Sequence, residues 1–136
     1  VTSGGQRPCA PLLYATAGLA LIIIVAACGF APAAHAANTV TYEVISDTIQ
    51  IADIEYVDSM GRQRMMAIPL PWRMDVALDD AQGPTGRGAQ LRADWRRIRG
   101  QARWVTVRIS EGGRPLCQST LDVGAVTCYG NTPHFS

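Results

Sequence analysis

Two cysteines near the end of the chain, Cys117 and Cys128, are placed to react with each other. They sit in strand-like stretches, Pro115 to Leu121 and Gly124 to Tyr129. If Leu121 to Gly124 makes the turn of a hairpin, residue 117 falls directly opposite residue 128. A non-hydrogen-bonded pair of opposed residues holds its Cα atoms about 4.5 Å apart, just inside disulfide range. The other outcome for these residues is a pair of buried free thiols. Cys28 follows Val25-Ala26-Ala27, and small residues leading to a cysteine offer a lipid-attachment site. Otherwise Cys28 is a thiol within an apolar helix, without a role. Cys9 lies ahead of the apolar stretch and needs no function.

The charge cluster is Arg92, Arg96, Arg97, Arg99 and Arg103, flanked by Trp95 and Trp104. Two readings fit it. One is a solvated loop and edge strand whose charges block aggregation. The other is contact with anionic headgroups or an acidic partner, for which arginine offers bidentate pairing and tryptophan suits an interface. Asp53 and Glu55 share a strand face but read as solvent-facing, like Asp79 and Asp80 in their loop. No enzyme is expected. His35 and His134 lie outside the candidate domain, no Cys/His group has zinc spacing, and neither G-x-S-x-G nor H-E-x-x-H occurs. No cofactor or metal is expected either. All twelve basic residues are arginine; beyond residue 30, eleven arginines balance eleven acids. A neutral domain gives no general case for nucleic-acid binding.

The elements that must position these residues begin with an apolar stretch, Pro11 to Ala34. No charge occurs between Arg7 and Glu43. Leu12 to Phe30 is long enough, as a helix, to cross a hydrocarbon core of roughly 30 Å. Arg7 precedes the stretch and no basic residue follows until Arg62, which favours the N-terminus inside and the domain outside. Three fates fit: a retained membrane helix, a lipoprotein signal cut at Cys28, or cleavage after Ala34-His35-Ala36. The expected organisation is a cytoplasmic tail over 1–10, a transmembrane or signal helix over 11–30, a spacer over 31–37, a domain over 38–130 and a tail over 131–136. The location is then the cell (inner) membrane, single-pass, with the domain facing the periplasm or cell envelope.

Within the domain, strand signals recur at short spacing between turn residues. Strands are expected over Thr39–Val44, Ile49–Val57, Gln63–Ala67, Trp72–Leu78, Ala89–Trp95, Trp104–Ser110, Pro115–Leu121 and Gly124–Tyr129. Glu111-Gly112-Gly113-Arg114 is a hairpin turn. In the second strand, Ile49 and Ile51 share one parity and Ile54 and Tyr56 the other, so a bulge near Ala52-Asp53 is expected. The pattern gives an all-β, Ig-like antiparallel sandwich of seven to eight strands. Pro69 and Pro71 cannot donate to a ladder. The segment Pro69-Leu70-Pro71-Trp72 therefore lies at an edge or crosses between sheets, with Trp72 a core plug or a partner-docking residue.

Val40-Thr41-Tyr42-Glu43-Val44, Ile54-Glu55-Tyr56-Val57-Asp58, Pro69-Leu70-Pro71-Trp72, Val107-Arg108-Ile109 with Gly112-Gly113, and Cys128 follow one another in an order that resembles the MmpS family of small mycobacterial membrane proteins. The resemblance runs from about Leu12 to Tyr129, and Leu70-Pro71-Trp72 is its most specific piece. It implies a membrane helix followed by an exported β-sandwich. It also implies a partner, an MmpL-like transporter of the RND superfamily, which this protein would serve as an accessory subunit in exporting lipids or siderophores. Two features depart from the family. Its earlier cysteine falls where this chain has Val107, which leaves Cys117 to pair with Cys128, and the stretch from Arg92 to Arg103 is an addition. The alternative function is a surface-anchored lipoprotein that binds an apolar ligand without a transporter.

Overall fold

The computed structural model describes residues 38–136. The expected helix over 11–30, the spacer and the lipidation candidate Cys28 lie outside the described residues. Eight strands follow in order: β1 Asn38–Ile45, β2 Ile51–Asp58, β3 Gly61–Pro69, β4 Trp72–Leu78, β5 Gln90–Asp94, β6 Val105–Glu111, β7 Arg114–Leu121 and β8 Ala125–Tyr129. They form two four-stranded antiparallel sheets, β4-β1-β6-β7 over β3-β2-β5-β8.

Alternation explains both layers. Val40, Tyr42 and Val44 of β1, with Val105, Val107 and Ile109 of β6, turn inward from the first sheet. Ala52, Ile54 and Tyr56 of β2, Leu91 and Ala93 of β5, and Val126 and Cys128 of β8 meet them from the second. Burying a large apolar side chain contributes about 1.5–3 kcal/mol, so this interior is the main cohesive term. On each solvent face a glutamate is flanked by arginines. Glu43 pairs with Arg73 (3.2 Å) and Arg108 (3.1 Å), and Glu55 pairs with Arg62 (3.0 Å). Such exposed pairs add about 0–1 kcal/mol each.

The structure corrects five details. The strand order is not the ABED/CFG order of immunoglobulin constant domains; here each sheet holds one consecutive hairpin, β2–β3 or β6–β7. The expected irregularity lies between Ala52 and Ile54, but the extra residue is on β3: Ala52 faces Ile68 and Ile54 faces Met65. Ala67 there takes a φ of 55°, and its N–H donates to Asp53 Oδ1 at 2.8 Å. The parity slip in β2 was apparent only, since Ile49 is buried in the preceding turn and Ile51 is 56% exposed. The segment Pro69–Trp72 does cross between sheets, from edge strand β3 to edge strand β4 through a cis Leu70–Pro71 bond. Trp72, however, is only half-buried, stacked beside Tyr56 at 5.8 Å between ring centroids. Residues 131–136, expected as a tail, run along β7: Gln118 N–H donates to the His134 carbonyl at 2.6 Å and Ser136 N–H to the Gln118 carbonyl at 3.2 Å.

The fifth correction concerns the cysteines. β7 and β8 are consecutive but belong to different sheets. Cys117 and Cys128 therefore do not face each other across a ladder. They stand at disulfide distance between the two layers, with Cα atoms 5.9 Å apart. A bulge prepares this. Ile109 faces Cys117 while Ser110 faces Pro115, so Leu116 is the extra residue, and Leu116 and Cys117 are both buried. A second directional tie joins the layers farther in: the Tyr42 hydroxyl donates to the Val57 carbonyl at 2.7 Å. Burial pushes the Tyr42 phenol far above its usual pKa, so it stays neutral and remains a donor.

Two outcomes follow. Non-reducing peptide mapping will recover Cys117 and Cys128 linked, and reduction will cost at most about 3 kcal/mol because the loop closed is short; free alkylation of both in denatured, unreduced protein would contradict the link. Tyr42→Phe will cost about 1–3 kcal/mol in chemical denaturation, because it orphans a buried carbonyl; an unchanged midpoint would show that the hydroxyl ties nothing.

Candidate functional site

The β-strand directions divide the turns between two ends of the sandwich. At one end lie Asn38, the β2–β3 turn, the 79–89 loop and the β6–β7 turn. At the other lie residues 46–50, the Leu70–Pro71 crossing, the 95–104 connection and residues 122–124. This second end gathers the apolar surface. Ile51 (56% exposed), Ile98 (47%), Trp104 (53%), Leu121 (39%) and Val123 (56%) are five of the eight exposed large hydrophobics among the described residues.

The 95–104 connection carries the basic residues of this end. It leaves β5, crosses to the other sheet and enters β6. Trp95 N–H donates to the Gly124 carbonyl at 2.9 Å, which fixes the start of the connection to the β7–β8 turn. Gly124 has a φ of 95°, and a Cβ there would lie 2.9 Å from Arg97 Cγ, so the Arg97 stem rests on a surface only glycine leaves open. At the far end the Ser46 hydroxyl donates to the Trp104 carbonyl (2.7 Å) while accepting from the Ile49 amide (2.9 Å). Arg96, Arg97 and Arg99 are exposed and form no ion pair among the described residues. Arg103 is half-buried and its Nη2 donates to Gln101 Oε1 at 3.1 Å. A shallow cavity of about 530 Å³ opens beside them, lined by Ile51, Asp53, Ala67, Trp95, Arg96 and Gly124.

The arrangement divides the cluster read from sequence. Arg96, Arg97, Arg99, Arg103 and Trp104 share this end. Trp95 is 8% exposed and belongs to the core, with its indole N–H lacking an acceptor among the described residues. Arg92 lies on the solvent face of β5, where Asp94 takes both Nε (2.7 Å) and Nη2 (2.6 Å). That hydrogen-bonded carboxylate holds the guanidinium pKa above its ordinary value. Pro69, Leu70, Pro71 and Trp72 act at the sheet crossing, where the Leu70 N–H donates to the Gln50 carbonyl at 2.9 Å.

Sequence reading missed that Ile51, Leu121 and Val123 join the arginines. Their signal was present: each is apolar next to a turn, where water faces it. It also missed a polar groove of about 570 Å³ on the outer face of β3-β2-β5-β8, lined by Glu55, Arg62, Arg64, Arg92, Thr127 and Tyr129. A further cavity of about 470 Å³ near Asn38's end includes Asp58, Asp79, Asp80 and Arg87. Asp58 there caps the Met60 amide (2.8 Å) and Asp80 the Gln82 amide (3.0 Å), so both hold turns. Among the described residues, no three His, Cys, Asp or Glu side chains group at metal-binding distance.

What the mapped end can do is bind. It offers unpaired guanidinium groups beside aliphatic and indole surface, a combination suited to a partner with carboxylates set in an apolar patch. No protein-family model matches the chain, and no curated protein matches its sequence.

The tryptophans report this geometry directly. Acrylamide will quench Trp104 several-fold more strongly than Trp95 in single-tryptophan variants. Trp95→Phe, which removes a buried unpaired donor, will change stability by about 1 kcal/mol or less. Equal quenching of the two indoles would place Trp95 on the surface.

Proposed function

We propose that this protein is a membrane-anchored, non-enzymatic accessory subunit of an MmpL-type RND transporter, assisting export of lipids or siderophores. In this reading the segment over 11–30 is retained in the inner membrane as a single pass, and the sandwich faces the periplasm or cell envelope. The ordered motifs described above, with Leu70-Pro71-Trp72 the most specific, supply the family side of the reading.

The observation that carries it is the polarity of the domain. Asn38, through which an N-terminal tether must pass, and the arginine-bearing end are separated by the length of β1, roughly 25 Å for eight residues. One end of the sandwich is thus given to attachment. The other holds Arg96, Arg97, Arg99 and Arg103 beside Ile98, Trp104, Leu121 and Val123. A protein that only needed to be held at the membrane has no use for unpaired charge and apolar surface at the opposite end. A transporter outer domain that presents carboxylates within an apolar patch would be a partner of matching chemistry. The anchoring segment supplies a second contact through Ala15, Ala17, Gly18 and Ala20, whose small side chains allow helices to approach closely. Two tethered contacts raise each other's effective concentration, so each can be weak alone.

The test uses full-length protein in cells that make the exported product. A photo-crosslinker at Trp104 will capture a large multi-span transporter, and Arg96→Glu/Arg97→Glu/Arg99→Glu will abolish the capture. Deleting the gene will lower extracellular product while leaving synthesis intact, and the triple variant will behave as the deletion does. Unchanged export after deletion, with no transporter captured and mature protein beginning at an acylated Cys28, would instead establish the surface-anchored, ligand-binding lipoprotein.

A further inference from the structure

Four strands lie at sheet edges, and three of them are blocked. β3 carries the Met66–Ala67 bulge and ends at Pro69. β7 is hydrogen-bonded by residues 134 and 136 through both polar groups of Gln118. β8 is only five residues long and is tied to the other sheet at Cys128. Bulges, proline, covering segments and shortness are the devices by which proteins keep edges from pairing. Among the described residues β4 has none of these, and its outward charges, Arg73 and Asp75, are of opposite sign. It pairs with β1 in unbroken register from Asn38↔Leu78 to Val44↔Trp72. It contains no proline. Its second edge meets no strand among the described residues.

The side chains of β4 say what fits that edge. Trp72, Met74 and Val76 point inward but stay half-buried, because no further strand covers them. Arg73 and Asp75 point outward, with side chains 63% and 56% exposed. We propose that β4 pairs antiparallel with β4 of a second copy of this chain, joining two four-stranded sheets into one of eight strands about a twofold axis.

Charge selects the register. Only registers shifted by even steps keep the inward residues of both copies on the same side. With Met74 opposite the second copy's Met74, Arg73 falls opposite the second copy's Asp75, and Asp75 opposite its Arg73. Trp72 then meets the second copy's Val76 on the inner side, and the half-buried residues of both copies cover one another. A shift one way places Asp75 against Asp75, and the other way Arg73 against Arg73. Opposed like charges on a sheet are destabilising and opposite ones stabilising. The strand therefore carries a self-complementary pattern, as a twofold interface requires. The existing contacts do not consume it. Arg73 shares Glu43 with Arg108 and reaches Asp75 Oδ1 of its own strand only at 3.9 Å, and Asp75 accepts one hydrogen bond, on that same oxygen, from Thr41 Oγ1 at 2.6 Å.

The experiment uses the full chain in detergent micelles, with Cys9 and Cys28 replaced by serine and the Cys117–Cys128 pair kept. Met74→Cys will crosslink to itself under mild oxidation about tenfold faster than Met60→Cys, a control that is 88% exposed in the β2–β3 turn. Adding either Arg73→Asp or Asp75→Arg places like charges opposite each other and will slow the crosslink by about tenfold. The double variant Arg73→Asp/Asp75→Arg restores opposite charges in the same register and will recover most of the rate. Independently of any substitution, the wild-type chain will show a concentration-dependent rise toward the dimer mass in light scattering. A monomer at every concentration overturns the proposal. So does a Met74→Cys rate no greater than the Met60→Cys rate, or a double variant no faster than the singles.

Discussion

Among the described residues the two sheets share no ladder, so their strand pairing does not hold one against the other. Cohesion between layers rests on side chains, and burial has no direction. Two contacts supply direction. Tyr42 reaches from β1 to the Val57 carbonyl of β2, and Cys117 of β7 reaches Cys128 of β8. They fix how the layers are placed over each other. The positions of the turns at either end then follow, and with them the gathering of arginines and aliphatic side chains at one end.

The strands were legible because alternation is a local property. All eight expected segments correspond to strands, with ends differing by a few residues, and β4 was bounded as expected. The partners of the cysteine bridge were legible too, but its geometry was not. Assigning β7 and β8 to one hairpin follows the tendency of successive strands to pair. Here the chain changes sheet between them, and only the pairing of β8 with β5 shows it. The bulge was misassigned for a related reason. Ile49 and Ile51 share parity in the sequence, yet one is buried by a turn and the other points to water. Periodicity reports burial only for residues that are in the strand.

The arginine cluster shows where sequence proximity stops being informative. Arg92 and Arg96 are close neighbours in the chain. The first lies on a strand face with its charge held by Asp94, and the second lies beyond the end of the sheet without a partner. Trp95 and Trp104 bracket the same connection, one inside and one outside. Side chains distant in sequence, Ile51 and Leu121, complete the surface. A surface of this kind is defined by strand directions, which no window of residues contains.

The covalent tie also makes the two long sides of the sandwich unequal. The layers approach more closely where β7 and β8 meet than where β4 lies over β2. On the Cys117–Cys128 side the layers cannot part without breaking a bond. On the β3–β4 side mainly half-buried side chains, the buried Leu78 and the Leu70–Pro71 crossing hold them. In a single copy, thermal opening is therefore expected to be graded: amide hydrogens of edge strand β4 would exchange through small local excursions, while those of central strand β6 would wait for the whole fold to come apart. A single sandwich would then open as a leaf hinged along its bridged edge, and a second copy paired at β4 would close the side on which it opens.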